Sequence, residues 1–318
     1  MALSKAPAVR HERVDDASAG QRIDNFLVRV CKGVPKSHIY RILRSGEVRV
    51  NSRRVDQTYR VQIGDEVRIP PIRIAEKENA APVPMGKPFD IAYEDDALLV
   101  LDKPAGLAVH GGSGVSFGLI EQLRRQRPEA KFLELVHRLD RETSGLLIVA
   151  KKRSALTVLH DMMRDGKVQK RYLTLVSGRW LNAQQHIKQP LLKYLLENGE
   201  RRVSVNREGK PAHSIVRLVR RWVGYSLLEV ELKTGRTHQI RVHLTHAGFP
   251  LCGDDKYGDF ALNKQLEKEG LGRMFLHAAK LAFHHPLTDQ LIELAAPLPA
   301  ELEGFLAVVE QTREREYG

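Results

Sequence analysis

The sequence predicts a two-domain α+β protein, and three observations carry that prediction. Its 318 residues are more than one small hydrophobic core ordinarily organises. A polar stretch with Pro82, Pro84, Gly86 and Pro88 separates a short basic unit from roughly 230 residues that follow it, a composition typical of linkers. In the longer part, strand-like and helix-like segments follow one another irregularly. That order predicts a mixed, largely antiparallel central sheet flanked by helices and loops, not a doubly wound parallel one. The expected division is a tail over 1–18, a first domain over 19–75, a linker over 76–88 and a second domain over 89–318.

The first domain opens with Arg22-Ile-Asp-Asn-Phe-Leu-Val-Arg-Val-Cys, where Ile23, Phe26, Leu27 and Val30 share one helical face. Gly33-Val34-Pro35 breaks that helix. Ser37 is a candidate cap for a second one, with Ile39, Ile42 and Leu43 as its apolar stripe. Gly46 ends it, and Glu47-Val-Arg-Val-Asn51 alternates as a strand does. The segment 61–69 reads as a strand pair around a Gly64-Asp65 turn, and Pro70-Pro71 closes the unit. In the second domain the patterning predicts strands at 98–102, 145–151, 170–177, 214–219, 226–232, 275–283 and 291–295. Helices are expected at 117–127, 154–165, 237–247 and 300–312.

Composition limits the function classes. Apolar residues make up 42% of the chain and charged residues 28%, ordinary for a folded globular protein. Apolar runs such as 98–101 and 145–150 fall far short of the ~18 residues that a membrane span requires. The opening residues contain no apolar core of a secretory signal, and the two cysteines, Cys31 and Cys252, form neither a disulfide framework nor a CxxC pair. A cytoplasmic location is expected. With 51 Lys+Arg against 39 Asp+Glu, the net charge is +12, which favours an anionic partner without naming it.

That charge has structure. Between Lys36 and Arg54 stand six basic residues (Lys36, Arg41, Arg44, Arg49, Arg53, Arg54) and one acid, Glu47. With Ile39, Ile42 and Leu43 turned to the core, Arg41 and Arg44 share an exposed face. A patch of this kind meets phosphates with little sequence preference, although a basic helix alone is ordinarily a solvated face. Arg22-Ile-Asp-Asn-Phe-Leu, Pro35-Lys-Ser, Ile42-Leu, Gly46-Glu-Val-Arg-Val-Asn and Gly64-Asp-Glu-Val together resemble the S4 RNA-binding domain (αL-type). The resemblance implies docking on structured RNA.

The richest chemistry lies in Leu135-Val-His137-Arg138-Leu139-Asp140-Arg141-Glu142-Thr143-Ser144-Gly145. An aspartate between arginines is ordinarily a structural ion pair, yet nearby cations also keep a carboxylate ionised for nucleophilic or basic work. A hydrolytic triad is poorly supported, because Ser144 lacks a nucleophile-elbow context. His238, His243 and His246 raise a metal as an alternative, but no HExxH and no cysteine pair accompany them.

His137-Arg-Leu-Asp-Arg-Glu-Thr-Ser-Gly-Leu-Leu resembles the signature of the RluA family of pseudouridine synthases. Leu101-Asp-Lys-Pro-Ala-Gly-Leu-Ala-Val-His110, Lys170-Arg-Tyr172-Leu-Thr-Leu-Val and Thr234-Gly-Arg-Thr-His-Gln-Ile-Arg241-Val-His243 match its further motifs in order. With the S4-like unit, the resemblance spans nearly the whole chain. One departure is Asp102, where the family commonly has asparagine. The resemblance implies an isomerase that breaks the N1–C1′ bond of uridine, turns the base and rejoins it through C5, with no cofactor and no metal. Such an enzyme must extrude its target base. Asp140 is then the catalytic residue, attacking C1′ or abstracting a sugar proton. Arg241 is its ion-pair partner, Tyr172 stacks on the uracil, Arg138 fills the gap left by the flipped base and Ile240 packs against it.

The implied partner is 23S (large-subunit) rRNA or a large-subunit assembly intermediate, modified at more than one uridine near the peptidyl-transferase region. A monomer with no obligate protein partner and no membrane is expected. Two rivals are a non-catalytic S4 protein of ribosome assembly and the same chemistry on tRNA or another structured RNA.

Overall fold

In the computed structural model, residues 8–15, 18–31, 33–72, 86–111 and 117–312 are described. Most of the segment read as a linker, and the glycine-rich stretch after Gly111, lie outside them. The chain forms two compact units, Met1–Val83 and Pro84–Gly318.

The first unit contains β1 (Arg10–Arg13), α1 (Ile23–Val30), α2 (Lys36–Arg44), β2 (Arg49–Val50) and β3 (Glu66–Ile69), with the strands in the antiparallel order β1-β3-β2. Ile23, Phe26 and Leu27 of α1 close on Ile39, Ile42 and Leu43 of α2, over Val67 and Ile69. Each fully buried side chain of this kind contributes about 1.5–3 kcal/mol.

Four local expectations need correction. Arg10–Arg13, assigned to the tail, pairs with β3 from Arg10↔Ile69 to Arg13↔Glu66. Its sequence, Arg-His-Glu-Arg, has no apolar alternation, so only the backbone pairing reveals it. Ser37 does not cap α2: Pro35 occupies the N-cap with ψ 142, and the helix starts directly after it. β2 is only two residues long because Asn51 and Ser52 turn into positive φ. Val61 belongs to no strand of the sheet. It exchanges backbone hydrogen bonds with Gly20 and Gln21 instead (2.7 and 3.0 Å).

The second unit runs β4 (Asp90–Glu94), β5 (Leu98–Lys103), α3 (Leu119–Gln126), β6 (Glu134–Leu135), β7 (Ser144–Ala150), α4 (Arg153–Arg164), β8 (Gln169–Ser177), β9 (Gln184–Ile187), β10 (Leu191–Leu195), β11 (Arg201–Val205), β12 (Ser214–Trp222), β13 (Tyr225–Leu232), α5 (Gln239–His246), α6 (Phe260–Lys268), β14 (Leu276–His284), β15 (Leu291–Ala295) and α7 (Ala300–Thr312). The main sheet follows β4-β5-β7-β14-β8-β13-β12-β9, with β6 on β7 and β15 on β14. Within it β7 and β14 pair in parallel and the other pairs are antiparallel. The mixed, largely antiparallel α+β architecture is therefore as expected.

The core gathers Leu99 and Leu101 of β5, Leu147 and Val149 of β7, Val176 of β8 and Leu228 and Val230 of β13. Every residue of β7 is buried, which is why it reads as a continuous apolar run. Gly145, with φ +109, is required where β7 meets β14: a Cβ there would lie 2.4 Å from the Ala278 carbonyl oxygen. This places the end of the 138–144 loop rigidly against the sheet. The segments that patterning missed are mostly exposed: Gln184–Ile187 at the sheet edge is largely polar, and in the separate β10–β11 ribbon the apolar sequence of β10 is left mostly exposed.

Candidate active site

Asp140 lies in the loop between β6 and β7, with its side chain 18% exposed. The Thr143 amide donates to its carbonyl at 3.1 Å and closes the loop into a turn. A buried lysine and a half-buried arginine hold this loop through its carbonyls. Lys103 Nζ donates to the carbonyls of Pro104 and Leu107 at 2.8 Å and of Arg141 at 3.1 Å. Burial, with the nearby Arg273 charge, pushes Lys103 down to about 7. Arg273 donates to the Glu142 carbonyl at 3.1 Å and to Ser144 Oγ at 2.9 Å. Ser144 Oγ also meets His277 Nδ1 at 2.9 Å.

His137 is unsuited to base catalysis. Its Nε2 accepts from the Ile148 amide at 3.1 Å, and burial, followed by the charge of Lys170, pushes its pKa down to about 3. The residue is a neutral strut of the loop.

Arg241 comes from α5, a helix buried on most of its surface. The residue is 4% exposed. Its Nε and Nη2 donate to Asp254 Oδ2 and Oδ1 at 2.7 and 2.6 Å, a bidentate geometry suited to a buried ion pair. Nη2 also reaches Asp255 at 3.3 Å, and Nη1 lies 3.6 Å from Asp140 Oδ2. Burial opposes the guanidinium charge, but Asp254, Asp140 and Asp255 together hold its pKa above the ordinary arginine value. The guanidinium carbon sits over the Tyr257 ring, 5.1 Å from its centroid.

Tyr172 projects from β8, where it pairs with Val230, and is 6% exposed. Burial, reinforced by the Asp140 charge, raises its phenol pKa, so the ring carries its proton throughout the neutral range. A cavity of 340 Å³ is lined by Arg138, Asp140, Tyr172, His238, Ile240 and Arg241 among others. The five second-domain residues singled out from the sequence thus converge from the 138–144 loop, β8 and α5. Ile240 is buried and Arg138 exposed. Asp102 is not among the lining residues. His243, considered above as a metal ligand, has both ring nitrogens engaged, with Ser214 Oγ and the Gln189 carbonyl, each at 2.9 Å.

Two participants, Asp254 and Tyr257, were not read as site residues, and His238 was weighed only as a metal ligand. Asp254 and Tyr257 lie in Gly253-Asp-Asp-Lys-Tyr, and an acid pair that finds a buried arginine is invisible without the fold. In the first unit, Lys36, Arg41, Arg44, Arg53 and Arg54 are exposed and Arg49 is half-buried. Arg54 donates to the Arg44 carbonyl, which ties the loop to the end of α2.

Residues 97–246 match the RNA pseudouridylate synthase family and residues 21–67 match the S4 domain. The chain is 51% identical over 317 residues to ribosomal large subunit pseudouridine synthase C of Escherichia coli (strain K12), covering 98% of this chain and 99% of that protein. The protein of the same name from Pasteurella multocida (strain Pm70) is 49% identical over 96% of this chain and 95% of its own length. Among solved structures, human RNA pseudouridylate synthase domain containing 1 superposes with a TM-score of 0.58 at 25% identity, covering 74% of this chain and 91% of that one.

Proposed function

This chain belongs to the RluA family of pseudouridine synthases, and on that premise we propose that it isomerises uridine to pseudouridine in large-subunit (23S) ribosomal RNA, at more than one uridine near the peptidyl-transferase region. The substrate follows from the curated relatives named for the large ribosomal subunit. The observation that carries the chemistry is the meeting of Asp140, Tyr172 and Arg241, three residues distant in sequence, in one cavity.

The reaction must break N1–C1′, let the freed base turn so that C5 faces C1′, form the new C–C bond and remove the C5 proton. Asp140 is the catalytic carboxylate. Whether it attacks C1′ or takes a sugar proton, the step needs the ionised form, and the Arg241 guanidinium 3.6 Å away supports it. Arg241 stays in place because Asp254 and Asp255 take its other donors. Tyr172, protonated and fixed in the sheet, offers a face on which an extruded uracil stacks, worth about 1–3 kcal/mol per base. Its neutral phenol leaves the charge of the site to Asp140 and Arg241. Ile240 gives the base an apolar contact, and Arg138 at the rim fills the space the base vacates. The exposed cations of the S4 unit supply phosphate affinity without sequence information.

The test is a map of pseudouridines in ribosomal RNA from cells lacking the protein, complemented with wild type and with Asp140→Asn. Pseudouridines lost on deletion and restored only by wild type are expected. An unchanged map would refute the ribosomal assignment, and full rescue by Asp140→Asn would refute the role of Asp140.

A further inference from the structure

His238 lines the same cavity, and the reaction above gives it no role. Its backbone is left-handed, φ 53 and ψ 24, at the N-cap of α5. Histidine enters this region more readily than most side chains, but the conformation is strained and persists only where the surroundings enforce it. The ring faces two partners here. Nδ1 lies 2.8 Å from the Tyr257 hydroxyl, and Nε2 lies 3.9 Å from Asp140 Oδ2.

Counting protons fixes the tautomer. The Tyr257 oxygen accepts from the Val203 amide at 3.0 Å. Burial raises the Tyr257 phenol pKa. Burial also lowers that of His238, against the pull of Asp140, so both rings are neutral near pH 7. A phenol has one proton to give and a neutral imidazole has one N–H. The hydrogen-bond partner available to the phenol proton among the described residues is His238 Nδ1. The imidazole proton is then on Nε2, the nitrogen facing Asp140.

We infer that His238 is a positioning residue for Asp140: its Nε2–H and the Arg241 guanidinium both address Oδ2, which leaves Oδ1 as the oxygen presented to the ribose. The distance of 3.9 Å is about 1 Å longer than a hydrogen bond, and catalytic contacts of this kind commonly shorten when substrate closes the site. Tyr257 is what makes the arrangement directional. It selects the tautomer on one edge and lies beneath the Arg241 guanidinium with its face.

This inference rests on the reading of Asp140 as the catalytic carboxylate, and its test separates the two. The 15N spectrum of the full chain, with His238 assigned among the 13 histidines by its disappearance in His238→Gln, is expected to show the proton on Nε2. Tyr257→Phe is expected to turn that signal into a tautomer mixture. With a large-subunit rRNA transcript, His238→Ala is expected to lose about tenfold or more in kcat with KM within about twofold, since it removes a donor to a charged acceptor. His238→Gln, whose amide N–H reaches the same place, is expected to recover most of that loss. A proton on Nδ1 in the wild-type protein, an unchanged kcat in folded His238→Ala, or equal losses in the alanine and glutamine variants would overturn the inference. Full activity of folded Asp140→Asn on the transcript would instead overturn the reading of Asp140, and the tautomer result would stand on its own.

Discussion

Replacing Asp254 with alanine is expected to strand the Arg241 charge inside the protein. Asp254 is 0% exposed and Arg241 4%. Oδ1 accepts from Arg241 Nη2 at 2.6 Å and from the backbone amides of Lys256 and Tyr257 at 2.8 and 3.0 Å, while Oδ2 accepts from Arg241 Nε at 2.7 Å. Removing one partner of a buried ion pair costs about 3–5 kcal/mol, because the other is left uncompensated. Asp255 and Asp140, at 3.3 and 3.6 Å, take up part of the charge, which places the expected loss near the lower end, about 3–4 kcal/mol. Asp254→Asn keeps an acceptor where Oδ1 stands but turns an NH2 group toward Arg241 Nε, so its expected loss is smaller, about 2 kcal/mol. Urea unfolding followed by tryptophan fluorescence measures this cleanly. Both tryptophans, Trp180 and Trp222, are buried in the second unit, so the signal is blind to the S4 unit and the two unfolding events are not confounded. A loss below about 1 kcal/mol in Asp254→Ala would refute the argument, since it would mean that Arg241 finds water or another partner at no cost.

The acid limb of stability follows from two depressed carboxyls. Hydrogen bonds from Arg127, against a burial cost and with help from Lys151, hold Glu94 down to about 2; burial opposes the Asp254 charge, but Arg241 and two backbone amides outweigh it and lower its pKa. Groups depressed in the folded state stabilise it fully above their unfolded pKa, and that contribution is lost as pH falls toward the folded value. Urea midpoints should therefore drop between about pH 4.5 and 2, and Glu94→Gln should flatten the slope; a midpoint independent of pH there would exclude both ion pairs. Tyr172→Phe should retain RNA affinity within about twofold while Tyr172→Ala weakens it by about 1–3 kcal/mol, as read by filter binding; equal loss in both would assign the effect to the hydroxyl. The double change Arg41→Gln and Arg44→Gln should lower the slope of log K against log salt by about 1.4–1.8. Deleting residues 1–75 should weaken binding further while leaving the tryptophan unfolding curve in place; an unaltered salt slope would remove the S4 patch from the interface.

The parts of the fold that were legible are those whose side chains carry the periodicity. Leu291–Ala295 and Ala300–Thr312 are placed to the residue, the strand by alternation about the buried Ile292 and the helix by the spacing of Leu302, Phe305 and Val309; β5, β7, β8 and β13 are placed within one or two, because buried apolar runs leave a direct trace in the sequence. Arg10–Arg13 and Gln184–Ile187 leave none, since their pairing is backbone to backbone with polar side chains exposed. The site divides on a similar line. Asp140, Tyr172 and Arg241 stand in segments recognisable as motifs. Asp254 and Tyr257 act only through Arg241 and His238, partners that the sheet brings to them, so no spacing in the sequence announces their role.

That hidden layer explains how a chain with a +12 excess keeps one arginine for chemistry. A phosphate-rich substrate competes for every available cation. Arg241 is already held by Asp254 and Asp255 and faces Asp140, so its guanidinium has little left to offer a phosphate. Arg138 and Arg236 at the rim of the cavity are exposed and, among the described residues, have no carboxylate partner. Phosphate attraction is thereby kept at the mouth, where it orients the strand, while the base and ribose pass inward to an environment whose charges are already paired. With Asp254 and Asp255 taking Nε and Nη2, Arg241 meets Asp140 through Nη1 at Oδ2, and the second carboxylate oxygen is the one left to react.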